Sequence, residues 1–512
     1  VYMNRLFLAF TTLLVLRTAS PLLGQCPTAN FNVQAQICAG DALQLVNNSS
    51  NAVRYEWDFC PGYLVNSPTL ISDTTFSASY PGDITFALVD DTLFGFLSAM
   101  NNQAIVRFVY GNGPESAPTE ITDLGNPGGL LTQPGDLALY QEQGKWYAII
   151  ADYSNLSVVR IAFGASLSNA PDSATTILPS AGSPLTAPRS IRLVQDPNGS
   201  IFGIVSNFTA ATITILDFGT SILNTPTVSQ TLSVPGTTFV LDCQPIRTCD
   251  RWMVLIAGYT SGKVLVGDFG NSLNNSPAFS EMNVLGQPSD LVTFRDGDHW
   301  RMVYTSFSGN ELVRYDLGTD ITLPTPTLLG GDGFGSLYPK GVSATRIGDA
   351  WYLSVLDIGN SRIRFMKDSH TCPAALSTSQ DFEPTGVTFT TPGVQTIVLT
   401  AWDNNGIASV YAQQVSVASR PIAAFGFTGS CFGDLTEFQD STDSGGGAVT
   451  NWNWQFGTGD SSNSQNPVYV YPAAGNYPVS LTDSGSAGCS STILDTVHIS
   501  PLPVAAFTTG TG

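Results

Sequence analysis

Short runs in which apolar and polar residues alternate recur along most of the chain. Val479-Ser480-Leu481-Thr482 is one example, and Ile363-Arg364-Phe365 is another. A period of two is the pattern of a half-buried β-strand, and Gly, Pro, Asn and Ser cluster between these runs as they do in turns. No helical periodicity persists beyond the first residues. The pattern therefore predicts an all-β protein.

The runs are organised in a repeat of roughly 50 residues, the spacing of units that contain four short strands. Each unit opens with a strand after a Pro or Gly, and a second strand then often begins with an aromatic residue, as at Trp300. A turn, a third strand and a loop ahead of a fourth strand follow. Four strands per unit at this spacing predict the blades of a β-propeller. The openings are Pro81-Gly82-Asp83, Pro134-Gly135-Asp136, Pro188-Arg189-Ser190, Gly236-Thr237-Thr238, Pro288-Ser289-Asp290 and Pro339-Lys340-Gly341.

The two ends of the repeat indicate how many blades there are. The sixth unit stops after its third strand, near Lys367. A matching fourth strand lies at the beginning, where Asn66-Ser67-Pro68-Thr69 resembles Asn224-Thr225-Pro226-Thr227. Pairing this first strand with the last unit would close the ring and leave no open sheet edge. We therefore expect six blades, with both ends of the repeat in the same blade.

The repeat lies between two halves of another domain. A complete copy of that domain contains Trp454-Gln455-Phe456-Gly457 and later Val479-Ser480-Leu481-Thr482. The same order starts at Trp57-Asp58-Phe59-Cys60, stops, and resumes at Glu383-Pro384 and Ile397-Val398-Leu399-Thr400. Insertion of a domain is tolerated at exposed loops whose two ends lie close together.

The complete copy resembles the PKD domain, a β-sandwich of secreted proteins, and the repeat resembles the NHL repeat, most clearly at Asp357-Ile358-Gly359-Asn360. The resemblance implies a six-bladed NHL-like β-propeller inserted into an Ig-like (PKD) β-sandwich and followed by a second PKD-like β-sandwich. The expected segments are a signal peptide at 1–24, the first sandwich half at 26–62, the propeller at 63–370, the second half at 371–418, the second sandwich at 421–500 and the start of a third module at 503–512.

Composition limits the partners and the compartment. The 512 residues carry a formal net charge of −20 with a pI near 4.3, which argues against binding to nucleic acid or to anionic membranes. Residues 3–24 have the charged start and apolar core of a secretory signal, and that core is too short to span a membrane. We expect a secreted or cell-surface protein with no membrane insertion after signal removal, and further modules of the same chain beyond residue 512.

Eight cysteines fit an oxidising compartment. Cys243 and Cys249 flank one short loop, and Cys431 and Cys489 follow the first strand and precede the last strand of the complete PKD-like domain. Cys38 matches Cys431, but Ile407 replaces Cys489 in the split domain. The sequence therefore predicts a Cys243–Cys249 pair and suggests Cys431 with Cys489 and Cys38 with Cys26. Cys60 and Cys372, on either side of the insert, are expected to form a bridge at the insert's ends.

Residues that could carry out chemistry are sparse. The three histidines, His299, His370 and His498, lie far apart in the sequence, so no metal site and no cofactor are predicted. Scattered carboxylates are able to bind calcium, but there is no Asp-x-Asp-x-Asp-Gly loop. Aspartates at the blade turns and first strands are expected to accept backbone amides, and no catalytic residue is assigned. These aspartates are Asp83, Asp136, Asp152, Asp290 and Asp357.

The turn after the second strand of each unit carries a large side chain at an equivalent position. Four of the six are aromatic: Tyr153, Phe208, Tyr259 and Phe307. Aromatic rings near a propeller mouth either pack between blades or bind ligand, and these four are the candidate ligand-binding residues.

The resemblance to multidomain surface proteins of Bacteroidetes-type bacteria implies binding or adhesion, with an extracellular glycan or protein as the ligand. The alternative is an extracellular enzyme that processes polysaccharides or peptides with a propeller catalytic domain. A carboxylate or His/Arg constellation at the propeller mouth would favour the enzyme, and the sequence shows no obvious one.

The split-domain interpretation predicts that the sandwich folds without its insert. Removal of residues 63–370, with the ends joined by a short Gly/Ser linker, should leave a folded β domain because the two halves complete one core. Circular dichroism and cooperative thermal unfolding would measure this. An unfolded product would contradict the prediction.

Overall fold

The computed structural model describes residues 26–506 except 62–67, 179–181, 260–261, 320, 322–325, 333–334, 336–337, 349, 368–371 and 405. The predicted signal peptide and the end of the expected third module lie outside these residues. The described part is all-β, with turns, one 3-10 helix at Pro127–Gly129 and no α-helix. None of its helices is long and apolar enough to cross a bilayer.

The chain divides into two compact units. The first contains the described residues of Val1–Asn30, Asn48–Thr371 and Val398–Ala412, and the second contains those of Phe31–Asn47, Cys372–Ile397 and Gln413–Gly512. Four short strands precede the long repeat: β1 Phe31–Val33, β2 Gln36–Cys38, β3 Leu45–Asn47 and β4 Arg54–Asp58.

In the described part of the first unit, the repeat forms six four-stranded antiparallel sheets. A single strand, β5 (Thr69–Thr75), comes before them. The first three sheets are β6 Pro81–Val89, β7 Thr92–Ala99, β8 Ala104–Val109 and β9 Glu120–Asp123; then β10 Pro134–Glu142, β11 Lys145–Asp152, β12 Ser157–Gly164 and β13 Ser173–Leu178; then β14 Pro188–Gln195, β15 Ile201–Asn207, β16 Thr212–Asp217 and β17 Thr227–Ser233.

The other three sheets continue in the same order. They are β18 Val240–Arg247, β19 Trp252–Gly258, β20 Lys263–Gly270 and β21 Ala278–Asn283; then β22 Pro288–Asp296, β23 His299–Ser306, β24 Glu311–Gly318 and β25 Thr327–Asp332; then β26 Pro339–Ile347, β27 Ala350–Asp357 and β28 Arg362–Lys367. Five of the six first strands begin at the predicted Pro, whereas the fourth begins at Val240 rather than near Gly236.

The sixth sheet takes its fourth strand from the beginning of the repeat, as the sequence predicts. β28 pairs antiparallel with β5, in a register that runs from Arg362 opposite Thr75 to Lys367 opposite Thr69. The order of this sheet is β26-β27-β28-β5. The outer edge of the last sheet is therefore covered by a strand that comes first in the chain.

The six sheets contact one another in a cycle. The first strand of each sheet contacts the first strand of the next, and β26 of the sixth sheet contacts β6 of the first. A buried apolar cluster lies between each pair of consecutive sheets in the described residues. Phe108 of the first sheet and Phe365 of the sixth belong to the cluster that completes the cycle. The strands are therefore buried on both faces, which explains runs such as Trp252–Gly258 that are apolar throughout.

The segments on either side of the repeat pair with each other in two places. Three strands follow the repeat: β29 Thr378–Ser379, β30 Gly393–Trp402 and β31 Ala408–Ala418. In the first unit, β4 pairs antiparallel with β30, with Trp57 opposite Leu399. In the second unit, β2 pairs parallel with β31, with Cys38 opposite Ala418. Trp57 and Phe59 are fully buried, as the sequence pattern requires.

The rest of the second unit is a second set of strands. They are β32 Phe425–Thr428, β33 Thr436–Asp440, β34 Val449–Gln455, β35 Ser461–Ser462, β36 Val468–Tyr469, β37 Gly475–Gly485 and β38 Ser490–Ile499. They form two sheets, ordered β32-β33-β36 and β35-β34-β37-β38, around a core that includes Trp454 and Phe456. Trp452 packs against the same core, so Trp452 and Trp454, two residues apart in β34, share one face of that strand.

Three of the expected disulfide pairings are wrong. Cys26 is bonded to Cys249, and Cys38 is bonded to Cys489, whereas Cys243 and Cys431 are free. Cys60 is disulfide-bonded, and so is Cys372, and their pairing with each other stays a prediction.

Strand geometry explains why the local pairs do not form. Cys243 points into the core from β18, and the strand carries the chain about 13 Å further before the turn that holds Cys249. Cys489 lies just before the first residue of β38, whereas Cys431 forms a β-bridge with the backbone of Ser500, just after its last residue. The length of β38 therefore separates the two cysteines by about 33 Å. A disulfide needs Cα atoms about 4.4–6.8 Å apart.

Peptide mapping under non-reducing conditions should therefore give Cys26–Cys249 and Cys38–Cys489, with Cys60–Cys372 as the remaining link. Because Cys431 is exposed and Cys243 is buried, iodoacetamide should label Cys431 in the native protein and Cys243 only after unfolding. Recovery of Cys60 linked to Cys38 would contradict both the structure and the expected bridge at the ends of the insert.

Candidate functional site

The turns between the second and third strands of all six sheets meet around one cavity. Each contributes its first residue: Met100, Tyr153, Phe208, Tyr259, Phe307 and Ile358. The cavity has a volume of about 510 Å³ and lies within the first unit. The structure thus brings together all four predicted ligand-binding aromatics, although they are about 150 residues apart in the chain at most.

The aromatic side chains form two groups along the rim. Phe208 stacks on Phe239 with ring centroids 4.6 Å apart and lies 6.4 Å from Tyr153. Phe307 contacts Tyr259 at 5.8 Å and Tyr338 at 5.2 Å. The four predicted rings are half-buried, so each both packs against a neighbour and faces the cavity. These four residues are therefore able to pack against neighbouring rings and to contact a ligand in the cavity.

The second residues of the first strands approach one another in the ring, and most of them line the cavity. Gly82 shows how closely the strands approach, because a Cβ there would lie 2.1 Å from the carbonyl oxygen of Gly135. Only glycine fits at such a distance. The corresponding residues of the other lining strands are larger: Arg189, Leu241, Ser289 and Lys340.

Next to these residues, four buried aspartates surround one arginine. The Arg192 guanidinium lies 3.1 Å from Asp242, 3.3 Å from Asp290 and 3.9 Å from Asp83, and it also forms an ion pair with Asp136. Three of these carboxylates line the cavity: Asp83, Asp242 and Asp290. A carboxylate and arginine constellation therefore exists at the cavity, although none was obvious in the sequence.

The aspartates also join neighbouring sheets. Asp136 accepts a hydrogen bond from the backbone N–H of Ile191 at 3.1 Å, and Asp242 accepts one from Leu291 at 3.1 Å. Asp290 accepts one from Val342 at 2.6 Å. Each bond runs from one first strand to the next, so Asp136 and Asp290 accept backbone amides as predicted, and Asp242, which was not predicted, does the same. They satisfy donors that would otherwise be buried without a partner.

Asp152 and Asp357 also behave as predicted, since both accept amides at turns. Asp152 accepts a hydrogen bond from the N–H of Asn155 at 3.0 Å, and Asp357 accepts one from Asn360 at 3.2 Å. The sequence interpretation missed Asp242 and Arg192. Asp242 is the third residue of β18, as Asp290 is of β22. The sequence did not reveal this match, because the first strand of the fourth unit is expected to begin near Gly236 and begins instead at Val240.

The pKa values of the four aspartates are not all shifted in the same direction. Burial raises the pKa of Asp83 and that of Asp290 well above the usual range, and it also raises the pKa of Asp136. Burial acts on Asp242 in the same direction, but the nearby Arg192 and hydrogen bonds lower the pKa of Asp242 overall. Burial alone would lower the pKa of Arg192, yet the surrounding carboxylates raise it well above its usual value.

The histidines do not come together. His299 Nδ1 lies 2.9 Å from both carboxylate oxygens of Asp316, and His498 Nδ1 lies 2.6 Å from the Asn476 side-chain oxygen. His370 lies outside the described residues. No group of three or more His, Cys, Asp and Glu side chains in the described chain is arranged to hold a metal. Among the four aspartates, the guanidinium of Arg192 takes the central position where a cation would otherwise be needed.

Two flanking residues that belong to the first unit contact the opposite end of the six sheets. Cys26 is bonded to Cys249, which lies in the turn between the first and second strands of the fourth sheet. Asp58 forms an ion pair with Arg346 at 2.8 Å, next to the corresponding turn of the sixth sheet. All of these residues belong to the first unit. In that unit, Cys26 and Asp58 therefore lie at the opposite end of the sheets from the cavity.

Comparisons with known proteins identify one domain. The PKD domain family matches residues 418–500, so the chain contains a PKD domain in the second unit. The PKD1 domain of Vibrio anguillarum Epp is 25% identical, with a TM-score of 0.16, and the match covers 16% of this chain and 96% of that chain. No curated protein sequence matches.

Two larger solved structures resemble the chain weakly. Kuenenia stuttgartiensis hydrazine synthase is 10% identical over 58% of this chain and 97% of its own, with a TM-score of 0.39. The exo-β-1,3-galactanase of Phanerochaete chrysosporium, solved with galactose, is 11% identical over 71% and 89%, with a TM-score of 0.34. We infer nothing from scores this low.

Replacement of Arg192 by Met should destabilise the protein by about 3–5 kcal/mol near neutral pH, because it leaves buried carboxylates without their cation. Arg192 lowers the carboxyl pKa values, so its removal raises them further in the folded state. A raised folded-state pKa contributes stability at acidic pH that is lost as pH rises. Urea unfolding should therefore show a smaller deficit at about pH 4.5 than at about pH 7.

The matched control is Arg160→Met. Arg160 donates to the carbonyl oxygen of Ile222 at 2.9 Å and forms no ion pair with any described carboxylate. Its loss should cost about 1–3 kcal/mol, with little dependence on pH. Equal pH profiles for the two variants would contradict the charge balance inferred for the aspartates.

Proposed function

We propose that this is an extracellular binding protein that presents a six-bladed, NHL-like β-propeller on PKD-like modules, with the ligand held in the cavity at one propeller mouth. The blade assignment is supported by the cycle of contacts between the first strands and by the buried cluster between each pair of neighbouring sheets. The pairing of β28 with β5 supplies the closure that a propeller needs.

One observation carries the proposal. The aromatic residues at the equivalent turn of four blades surround a cavity of about 510 Å³, within the usual range for small-molecule sites. Half-buried rings that face a cavity present apolar faces on which a sugar ring can stack, while Tyr hydroxyl groups stay available for hydrogen bonds. A cavity of this size holds one or two sugar units, or a side chain or two of a protein ligand. We favour a saccharide.

An extracellular location is supported by three features. The chain contains a PKD domain, and it has two described disulfides together with two further disulfide-bonded cysteines. Disulfides persist in oxidising compartments. The predicted signal peptide agrees with them. Within the first unit, Cys26 and Asp58 contact the end of the propeller away from the cavity, which suits presentation of the mouth to a ligand.

A glycoside-processing enzyme is the second candidate, because carboxylates with opposite pKa shifts line the cavity floor. The pKa of Asp290 is raised and that of Asp242 is lowered, the division expected of an acid and its partner base. We rank this second because both side chains already accept backbone amides and contact Arg192.

The binding proposal is tested on a glycan array, followed by calorimetry on any saccharide found. The double variant Tyr153→Ala, Tyr259→Ala should abolish binding, because each lost ring removes about 0.5–1.5 kcal/mol beyond its buried area. The control Tyr153→Phe, Tyr259→Phe keeps the rings and should retain most of the affinity. Persistent binding in a double alanine variant that is folded by circular dichroism would make these rings packing residues only.

An assay with a panel of chromogenic glycosides distinguishes the two candidate functions. Under the binding proposal, the wild-type protein should release no chromophore from any member. Hydrolysis that is lost in Asp290→Asn but kept in the exposed variant Asp91→Asn would favour the enzyme instead.

A further inference from the structure

Two cations lie in the cavity without an acidic partner. Arg189 donates from Nη1 to the Sδ of Met100 at 3.0 Å, and Lys340 Nζ lies 3.9 Å from the same sulfur. Lys340 also donates to the carbonyl oxygen of Pro81 at 3.0 Å and lies 4.9 Å from the Tyr80 ring. Both line the cavity, and neither forms an ion pair with any described carboxylate. Two positive charges are therefore held close together around one methionine.

The placement is unusual for this chain. Lys and Arg together number 20 against 40 Asp and Glu, so cations are scarce. In the other four blades the equivalent first-strand residue is uncharged: Gly82, Gly135, Leu241 or Ser289. The propeller closes with uncharged residues here, so the two cations are not required by the architecture. Like charges in a partly desolvated site repel each other unless an anion lies between them.

The aspartates beneath form no ion pair with Arg189 or Lys340 in the described chain. Burial lowers the pKa of Arg189, and the charges of Asp83 and Asp136 only partly offset this effect. Asp136, Asp242 and Asp290 lie against Arg192 and accept backbone amides from the next strands. Burial and the neighbouring carboxylates raise the pKa values of Asp83 and Asp290, and all four carboxylates lie against Arg192. Arg189 and Lys340, which line the cavity, are therefore able to pair with an anionic group inside it.

We propose that the cavity binds an anionic saccharide, with its carboxylate or sulfate between Arg189 and Lys340 and its ring against the aromatic rim. The inference rests on the proposed function and specifies the ligand class. Arginine and lysine are suited to such groups, because charge-assisted hydrogen bonds are about twice as strong as neutral ones. Asn101, Gln133 and Ser289 also line the cavity and provide donors and acceptors for sugar hydroxyls.

The experiment uses the full chain and three disaccharides of one linkage: a uronate, its sulfated counterpart and its neutral counterpart. Calorimetry should show that at least one anionic sugar binds tenfold or more tightly than the neutral sugar, and that this preference weakens as salt is added. Arg189→Gln and Lys340→Gln should each reduce the anionic affinity about tenfold and leave the neutral affinity nearly unchanged. Whether uronate or sulfate binds more tightly identifies the source of the charge.

Lys145→Gln is the matched control, because Lys145 is exposed in the turn region at the other end of the second sheet and should have no effect. Equal affinity for the neutral and anionic sugars, with loss of both in Tyr153→Ala, Tyr259→Ala, would overturn the anionic inference and leave the binding proposal standing. Failure of every saccharide, with binding of an acidic hexapeptide that depends on Arg189, would overturn the anionic-saccharide inference and the preference for a saccharide, and would make a protein the ligand of the cavity. Failure of all four probes overturns the anionic inference as well, and the glycan array then decides the wider proposal.

Discussion

The antiparallel pairing of β28 with β5 is the interaction on which the rest of the first unit depends. It joins residues from the two ends of the repeat, and it completes the sixth sheet with a strand made before the first. Without it, β28 would be an open edge, and the cluster around Phe108 and Phe365 would lose the strand that covers it. The cavity depends on the same pairing, because its lining needs turns from all six sheets at once. The entropic penalty for closing so long a loop rises only slowly with its length, so a few ladder hydrogen bonds and one buried cluster suffice.

The centre of the ring imposes a second constraint. First strands that approach as closely as Gly82 and Gly135 leave backbone N–H groups with little room for water. The aspartates provide hydrogen-bond acceptors for these N–H groups, because a short carboxylate side chain reaches the amide of the next strand. Several carboxylates around one axis then require a cation, and Arg192 is that cation. The polar centre is thus a consequence of closing the ring, and it also determines the electrostatic field at the floor of the cavity.

How much of this could be predicted from the sequence depends on whether the signal is local. Strand period, turn residues and the match of Thr69 with the fourth strands are local patterns, and the structure confirms all three. The aromatic turn residues were found in the same way, because one position recurs in each unit. The disulfides could not be predicted from local patterns. Cys26 pairs with a cysteine 223 residues away, and this pairing depends on which turns meet in space. Arg192 was missed for the same reason, because it belongs to no repeated position and its partners lie on four different sheets.

The register of the closing pair has a mechanical consequence. Thr69 lies opposite Lys367, so the chain enters and leaves the repeat at the same end of one ladder. Tension applied through these two residues would peel the strands apart one hydrogen bond at a time, and a peeled ladder resists force far less than one that is sheared along its length. The strand pair that completes the ring is therefore also where it yields first under load. A covalent link just outside that point would carry such a load in place of the ladder, and the expected Cys60–Cys372 bridge would be a link of this kind.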